Sequence, residues 1–309
     1  MFSIALAAVA AAAAVPMTIP GPSGPIAGTF LDAGKGAPVV LMIPGSGPTN
    51  RDGNNPMGVT AAPYRMLAEA LAANGISSLR ADKRGIFGSK AAIPDANKVT
   101  IGDYATDARN WVAALRKQTG ASCVWLLGHS EGGLVALSAA QNPADICGVI
   151  LVATPGRKLG VVMREQLRAN PANAPILQPA LAALDKLEAG KTVDPATLPA
   201  PLQPLFGAQV QGFLIDLLAI DPPALAAKVS LPLLIVQGGR DLQVSTADAQ
   251  ELLQARPKSK LVEPVAMNHV MKDVLGDDRA TNLEAYSNPS LPVDRELVES
   301  VAAFVKAKN

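Results

Sequence analysis

The sequence predicts an α/β fold, a mostly parallel sheet of eight strands with helices on both faces. Three observations predict it. Continuous apolar runs such as Pro38-Val39-Val40-Leu41-Met42-Ile43 and Leu233-Leu234-Ile235-Val236 show no polar alternation, the mark of strands buried on both faces. Helical patterns separate these runs at short intervals. One run, Cys123 to His129, ends in a sharp Gly-His-Ser-Glu-Gly turn and is followed at once by a small-residue helix, Leu134 to Gln141.

In chain order, residues 1–16 come first as an alanine-rich apolar leader. It is too short to span a bilayer and suits the core of an export signal, with cleavage options near Ala12 to Ala14. The basic residues that usually precede such a core are missing, so the alternative is a true start at Met17. The first case implies a periplasmic or secreted protein, the second a cytoplasmic one. Met17 to Pro20 and Ala27 to Leu31 flank a Gly/Pro turn and read as an antiparallel pair at a sheet edge, where proline is tolerated. The strand ending at Ile43 stops at Pro44-Gly45-Ser46-Gly47-Pro48, and a polar loop leads to a helix over about 63–73. Ile76 to Ala81 is the next strand. Thr100 to Thr119 is amphipathic, with Tyr104, Ala108, Trp111, Val112 and Leu115 on one face. Cys147 to Ala153 is the sixth strand. The alternation then lapses, and residues 154–229 read as a helical cap insertion. Its apolar residues Phe206, Phe213, Leu214, Leu217 and Leu218 serve either as its own core or as a pocket lining. Strands at 233–237 and 260–265, with helices at about 247–255 and 293–306, complete a core split into 17–153 and 230–309.

Composition narrows the function. A net charge of +1 with acids and bases intermixed offers no basic face for nucleic acid. Two cysteines exclude a disulfide scaffold. Cys123 and Cys147 both fall in strands and read as free buried thiols, because strand geometry rarely suits a bridge; a Cys123–Cys147 pairing in an oxidising compartment is the alternative. No stretch beyond the leader is long and apolar enough to span a membrane. Cysteine and histidine are too scarce for a zinc site, and no Gly-rich phosphate loop follows the first buried strand, so no metal or organic cofactor is implied.

Chemistry centres on Ser130, at the apex of strand, turn and helix. A serine hydroxyl needs a base before it becomes nucleophilic. Of the two histidines, His129 adjoins the serine and points away from it, leaving His269, just past the last strand, as the base. Asp241, past the 233–237 strand, is the acid that would fix the imidazole; Asp273 is a weaker rival and Asp248 reads as helix surface. An oxyanion needs N–H donors, and the backbone of Glu131, just after the nucleophile, supplies one. The loop after Ile43 supplies a second.

The order Ser130, Asp241, His269, with Gly128-His129-Ser130-Glu131-Gly132, Gly239-Arg240-Asp241 and Asn268-His269, resembles the α/β-hydrolases, specifically the serine carboxylesterase and lysophospholipase type with a helical cap after strand six. The resemblance implies a Ser-His-Asp triad acting on small-molecule esters, and the apolar residues of the cap predict a preference for short to medium acyl chains. It places the second oxyanion donor at Ser46, between Gly45 and Gly47, with proline replacing the family's usual histidine before that glycine. Asn50-Arg51-Asp52-Gly53 extends this loop, and Arg51 is expected to pair with Glu131 or Asp52 and brace it. Asp82 and Arg84 of Asp82-Lys83-Arg84-Gly85 resemble the family's structural Asp-x-Arg-Gly loop. Thioesterase, lysophospholipase and aminopeptidase activities remain alternatives, the last needing cap carboxylates such as Glu165 or Glu188 to hold an ammonium. A binding protein that merely kept the fold is the reading from another class.

Overall fold

β1 (Ala14–Pro20), β2 (Pro25–Leu31), β3 (Val39–Ile43), β4 (Ser77–Ala81), β5 (Val124–His129), β6 (Ile146–Val152), β7 (Leu233–Val236) and β8 (Lys260–Val262) form one sheet in the order β1-β2-β4-β3-β5-β6-β7-β8. β2 pairs antiparallel with β1 and β4, and every other pairing is parallel. This computed structural model describes residues 14–95, 98–276 and 278–307. Most of the expected leader therefore lies outside the described residues. Its last three, Ala14 to Pro16, extend β1 and pair with Leu31, Phe30 and Thr29.

Period-two alternation divides the buried strands between two cores. Leu41, Ile43, Leu126, Val149, Leu151 and Ile235 pack on one face, against α2 (Ile101–Thr119) and α3 (Glu131–Ala139). Val40, Met42, Trp125, Leu127, Ile150 and Val236 pack on the other, against α1 (Pro63–Ala73) and the C-terminal helix. α2 is set by a capping box between Thr100 and Asp103 and ends at Gly120 in the left-handed region.

Between β6 and β7 lie α4 (Leu159–Ala169), α5 (Leu177–Glu188), α6 (Ala208–Ala219) and α7 (Pro222–Lys228). Here both readings of the apolar residues hold, for different ones. Phe206 and Leu218 join Leu184 and Leu187 in a local core, while Phe213, Leu214 and Leu217 face a cavity. α7 escaped the helical pattern because it is short, but Asp221, which accepts the Ala224 N–H, followed by Pro222-Pro223 is a legible start signal. The last helices are α8 (Thr246–Ala255), α9 (Arg279–Glu284) and α10 (Arg295–Lys306).

Two expectations are corrected. Cys123 and Cys147 are joined in a disulfide, their Cα atoms 5.2 Å apart, at the start of neighbouring parallel strands where the register shifts by one residue. That irregularity is what a sequence reading of two regular strands misses. Asp248 is fully buried: its carboxylate accepts from the Ser245 and Gly156 N–H groups and pairs with Arg157 at 3.0 Å.

The bridge closes a loop with a sequence separation of 24, which in the chain-entropy account contributes about 3 kcal/mol. Dithiothreitol should therefore lower the melting temperature of the wild type and leave a Cys123→Ala/Cys147→Ala variant unmoved. Asp294 caps α10 through the Leu297 N–H and is hydrogen-bonded to Asp273. Burial, helped by the Asp273 bond and charge, pushes its carboxyl up to about 7. The folded state thus holds a proton that the unfolded chain releases near pH 4. The stability this lends is complete below about pH 4 and disappears as pH rises through about 7. Asp294→Asn keeps the cap without the titration, so its melting temperature should gain on that of the wild type between about pH 5 and 8.

Candidate active site

Ser130 sits at φ 54°, ψ −125° between β5 and α3, a region that costs a non-glycine residue of order 1–3 kcal/mol. Its N–H donates to the Val152 carbonyl and its carbonyl accepts from Gly133, each at 2.9 Å. The flanking glycines are required by space. A Cβ on Gly128 would strike the backbone of Gly132, and one on Gly132 would strike the carbonyl of Ile43. α3 starts at Glu131, three residues before the apolar pattern does, because Gly132 and Gly133 carry no side chains to show it.

Asp241 follows β7 and His269 follows β8, so both reach the carboxyl edge where Ser130 stands. His269 Nδ1 donates to Asp241 Oδ2 at 2.8 Å. The aspartate also accepts the Gln243 and Val244 N–H groups at 2.7 and 2.9 Å. Burial pushes this carboxyl up, but the His269 charge and hydrogen bond, with those two N–H groups, outweigh it and hold it below its ordinary value. Asp241 is therefore a fixed carboxylate, and it leaves His269 with Nε2 as its free nitrogen. His269 and Ser130 line one cavity. Asp273 points elsewhere, to Asp294.

His129 has a different task. Burial, and then the neighbouring His269, pull its pKa down to about 3, so it is neutral. Its Nε2 lies 2.8 Å from the His269 carbonyl, which only accepts, so Nε2 carries the proton. Nδ1 then accepts from Tyr64 Oη at 2.8 Å, and Tyr64 Oη accepts the Gly45 N–H at 3.0 Å. Burial raises the Tyr64 pKa and keeps that phenol protonated. One chain of bonds thus runs from the loop after β3, through α1 and β5, to the backbone of His269.

The Asp82-Lys83-Arg84 segment braces the loop after β3, the start of α3 and the helix α2, each side chain with partners of its own. Asp82 holds Arg51, accepting its N–H at 2.8 Å and its Nη2 at 2.6 Å. The expected partners of Arg51 are taken by others: Asp52 pairs with Arg80 and Glu131 with Lys83. Lys83 Nζ donates to the Gly45 carbonyl at 2.8 Å and to Glu131 Oε1 at 3.2 Å. Arg84 holds α2 through Asp107 and Asp103. Lys83 is not among the site residues that the sequence motifs point to. Its signal was available, a lysine at a strand end facing an apolar surround, but the carboxylate it meets lies 48 residues away.

Two cavities meet at the serine. One, of about 320 Å³, is lined by His269, Tyr64, Thr49, Asn55 and Tyr286 among others. The second, of about 440 Å³, runs under α4 and α6 and is lined mainly by apolar side chains. Ser46, Ser130 and Gln243 border both. Gly47 and Glu131 border the second, and Gly45 the first. Arg51 and Asp52 border neither, being engaged with Asp82 and Arg80. Among the described residues no cluster of metal-ligating side chains occurs, and no single helix is long and apolar enough to cross a membrane.

A family model described as serine aminopeptidase, S33, matches residues 57–183. Esterase EstD of Thermotoga maritima is 30% identical over 300 residues, 94% of this chain; the chain spans 64% of that protein's length. Among solved structures, the α/β hydrolase GrgF from Penicillium superposes with a TM-score of 0.63 at 17% identity, over 96% of this chain and 98% of that one. The Pyrococcus furiosus esterase Pf2001 gives 0.61 at 18% identity, over 96% and 91%. Est1E from Butyrivibrio proteoclasticus gives 0.60 at 18%, over 95% and 99%. The eight-stranded sheet is that of the α/β-hydrolase fold.

Lys83 and Glu131 are both nearly excluded from water. Removing one partner strands the other charge, so Lys83→Met should destabilise the protein by about 3–5 kcal/mol in urea denaturation. Adding Glu131→Gln to Lys83→Met should recover a large part of that loss, the sign of a coupled pair.

Proposed function

We propose that this chain, which belongs to the α/β-hydrolase superfamily, is a serine hydrolase of carboxylic esters working through an acyl-enzyme. Ser130 Oγ attacks the ester carbonyl while His269 Nε2 takes its proton. Asp241 fixes the tautomer and stabilises the imidazolium. The backbone N–H groups of Ser46 and Glu131 receive the oxyanion, with Lys83 holding the two segments that carry them. His269 returns the proton to the departing alcohol, then activates water to release the acid. One observation carries the reading: the His269–Asp241 hydrogen bond beside a cavity that the strained Ser130 also lines.

The apolar chamber under α4 and α6, read as a cap, suits short to medium acyl chains. Esters are favoured over aminoacyl amides. The cap carboxylates that an aminopeptidase would turn toward an ammonium are occupied, Glu165 by Arg157 and Glu188 by Arg164. The Cys123–Cys147 bridge supports export to an oxidising compartment.

Turnover of p-nitrophenyl acetate by the wild type should vanish in Ser130→Ala and His269→Ala. It should fall by about 10⁴-fold in kcat in Asp241→Asn, which keeps the geometry but leaves the wrong tautomer. Equal turnover by wild type and Ser130→Ala would refute the assignment, and faster cleavage of aminoacyl amides than of esters would reverse the choice of substrate.

A further inference from the structure

The base and the acid of the proposed triad stand on separate loops, one after β8 and one after β7. Their side chains meet at 2.8 Å, and backbone bonds from Gly239 to the Pro264 carbonyl and from Arg240 to the Met267 carbonyl, 2.9 and 3.0 Å, join the loops. A further connection runs through two asparagines that are almost completely excluded from water. Asn268 immediately precedes His269, and its Nδ2 donates to the Asn282 carbonyl of α9 at 3.3 Å. The Asn282 side chain in turn donates Nδ2 to the carbonyl of Arg240, which immediately precedes Asp241, at 2.7 Å. Asn268 also closes its own loop. Its Oδ1 accepts the Lys272 N–H at 3.1 Å and its N–H donates to the Lys272 carbonyl at 2.9 Å, a tight turn that presents His269.

We infer that Asn282 is a positioning residue for the proposed ester hydrolysis, the reading on which this rests: it orients the peptide before Asp241, and through it the carboxylate that steadies His269. A peptide group is planar, so a bond to the Arg240 carbonyl also sets the direction of the Asp241 N–H. That N–H makes a longer bond of its own, 3.3 Å to the Gly238 carbonyl, so the 2.7 Å bond from Asn282 is the tighter hold on the plane. Only a donor can meet a carbonyl, and Nδ2 is the donor of this amide. Stability alone is a poor reason for an asparagine here. Its Oδ1 is buried without a hydrogen-bond partner among the described residues, a desolvation cost that an apolar side chain would not carry. The segment that carries Asn282 is itself anchored. Asp278 caps α9 through the Thr281 N–H at 2.9 Å. Beyond the helix, the Tyr286 carbonyl accepts the Thr60 and Ala61 N–H groups at 2.9 and 3.1 Å, and Tyr286 Oη is bonded to Gln243 Nε2 at 2.9 Å. α9 thus supplies a fixed point against which the two loops are set.

Steady-state kinetics of the intact protein on p-nitrophenyl acetate test this. Asn282→Ala should lower kcat about 10²-fold, the cost of a displaced reacting group, while KM stays within about 2-fold of the wild type. Asn282→Ser is the second variant, with the same expectation, should alanine unfold the protein. A merely structural residue multiplies its loss onto that of any other variant, whereas one that acts through Asp241 has nothing left to lose once that carboxylate is gone. Added to Asp241→Asn, Asn282→Ala should therefore cost less than about 3-fold more in kcat. The inference is overturned if kcat of the folded single variant lies within about 3-fold of the wild type. It is overturned equally if the full loss recurs on top of Asp241→Asn, or if KM rises with kcat unchanged. It falls as well if neither variant folds, because the asparagine then serves the fold and not the geometry. Failure of the esterase reading looks different, since Ser130→Ala would then match the wild type on the same ester.

Discussion

A single ammonium group holds the two walls of the site together. Lys83 leaves the end of β4 and places its charge between the Gly45 carbonyl and the Glu131 carboxylate, where water scarcely reaches. The turn after β3 and the first residue of α3 share no covalent proximity, yet the proposed reaction needs both fixed to a fraction of an ångström around one oxygen atom. Desolvating a lysine and a glutamate is costly, and their mutual bond with a backbone carbonyl offsets that cost only while all three stay in place. The pair is thus a conditional clamp: it stabilises one arrangement of the two segments and penalises the others. Asp82 and Arg84 extend the clamp sideways to Arg51 and to α2.

The serine and the histidine are fixed by a second device, built from neutral groups. Strain at Ser130 persists because its N–H, its carbonyl and both flanking glycines are committed to neighbours. The Gly45–Tyr64–His129 chain ends on the carbonyl of His269, so the residue before Ser130 positions the backbone of His269. This works only with His129 neutral and in one tautomer. Burial enforces that condition.

The helical segment between β6 and β7 is joined to this frame rather than laid over it. It has a local core of its own, around Leu184, Phe206 and Leu218, and a polar anchor where Arg157 meets the buried Asp248 of α8. Gln166 adds a bond to the carbonyl of Gln243, a residue that lines both cavities. The helical segment and the orientation of Asp241 therefore share one short stretch of chain, 241–244, so a change in the helical segment reaches the acid of the proposed triad through few atoms.

The sequence by itself determined the sheet, the elbow and the order of the candidate triad, because these follow from local rules. Buried strands read as apolar runs, a serine between two close-packed glycines needs that spacing, and residues at consecutive strand ends fall on one edge of a parallel sheet. Tertiary structure alone decided the pairings. Arg51 meets Asp82 because β4 lies between β2 and β3 in the sheet, out of sequence order. Cys123 meets Cys147 because the register of β5 and β6 shifts there by one residue. Asp248, polar and at a helix start, reads as surface until α8 is packed against Gly156 and Arg157. A side chain's type is written in the chain, but a charge or a thiol finds its partner through space, and strand order and register set those distances.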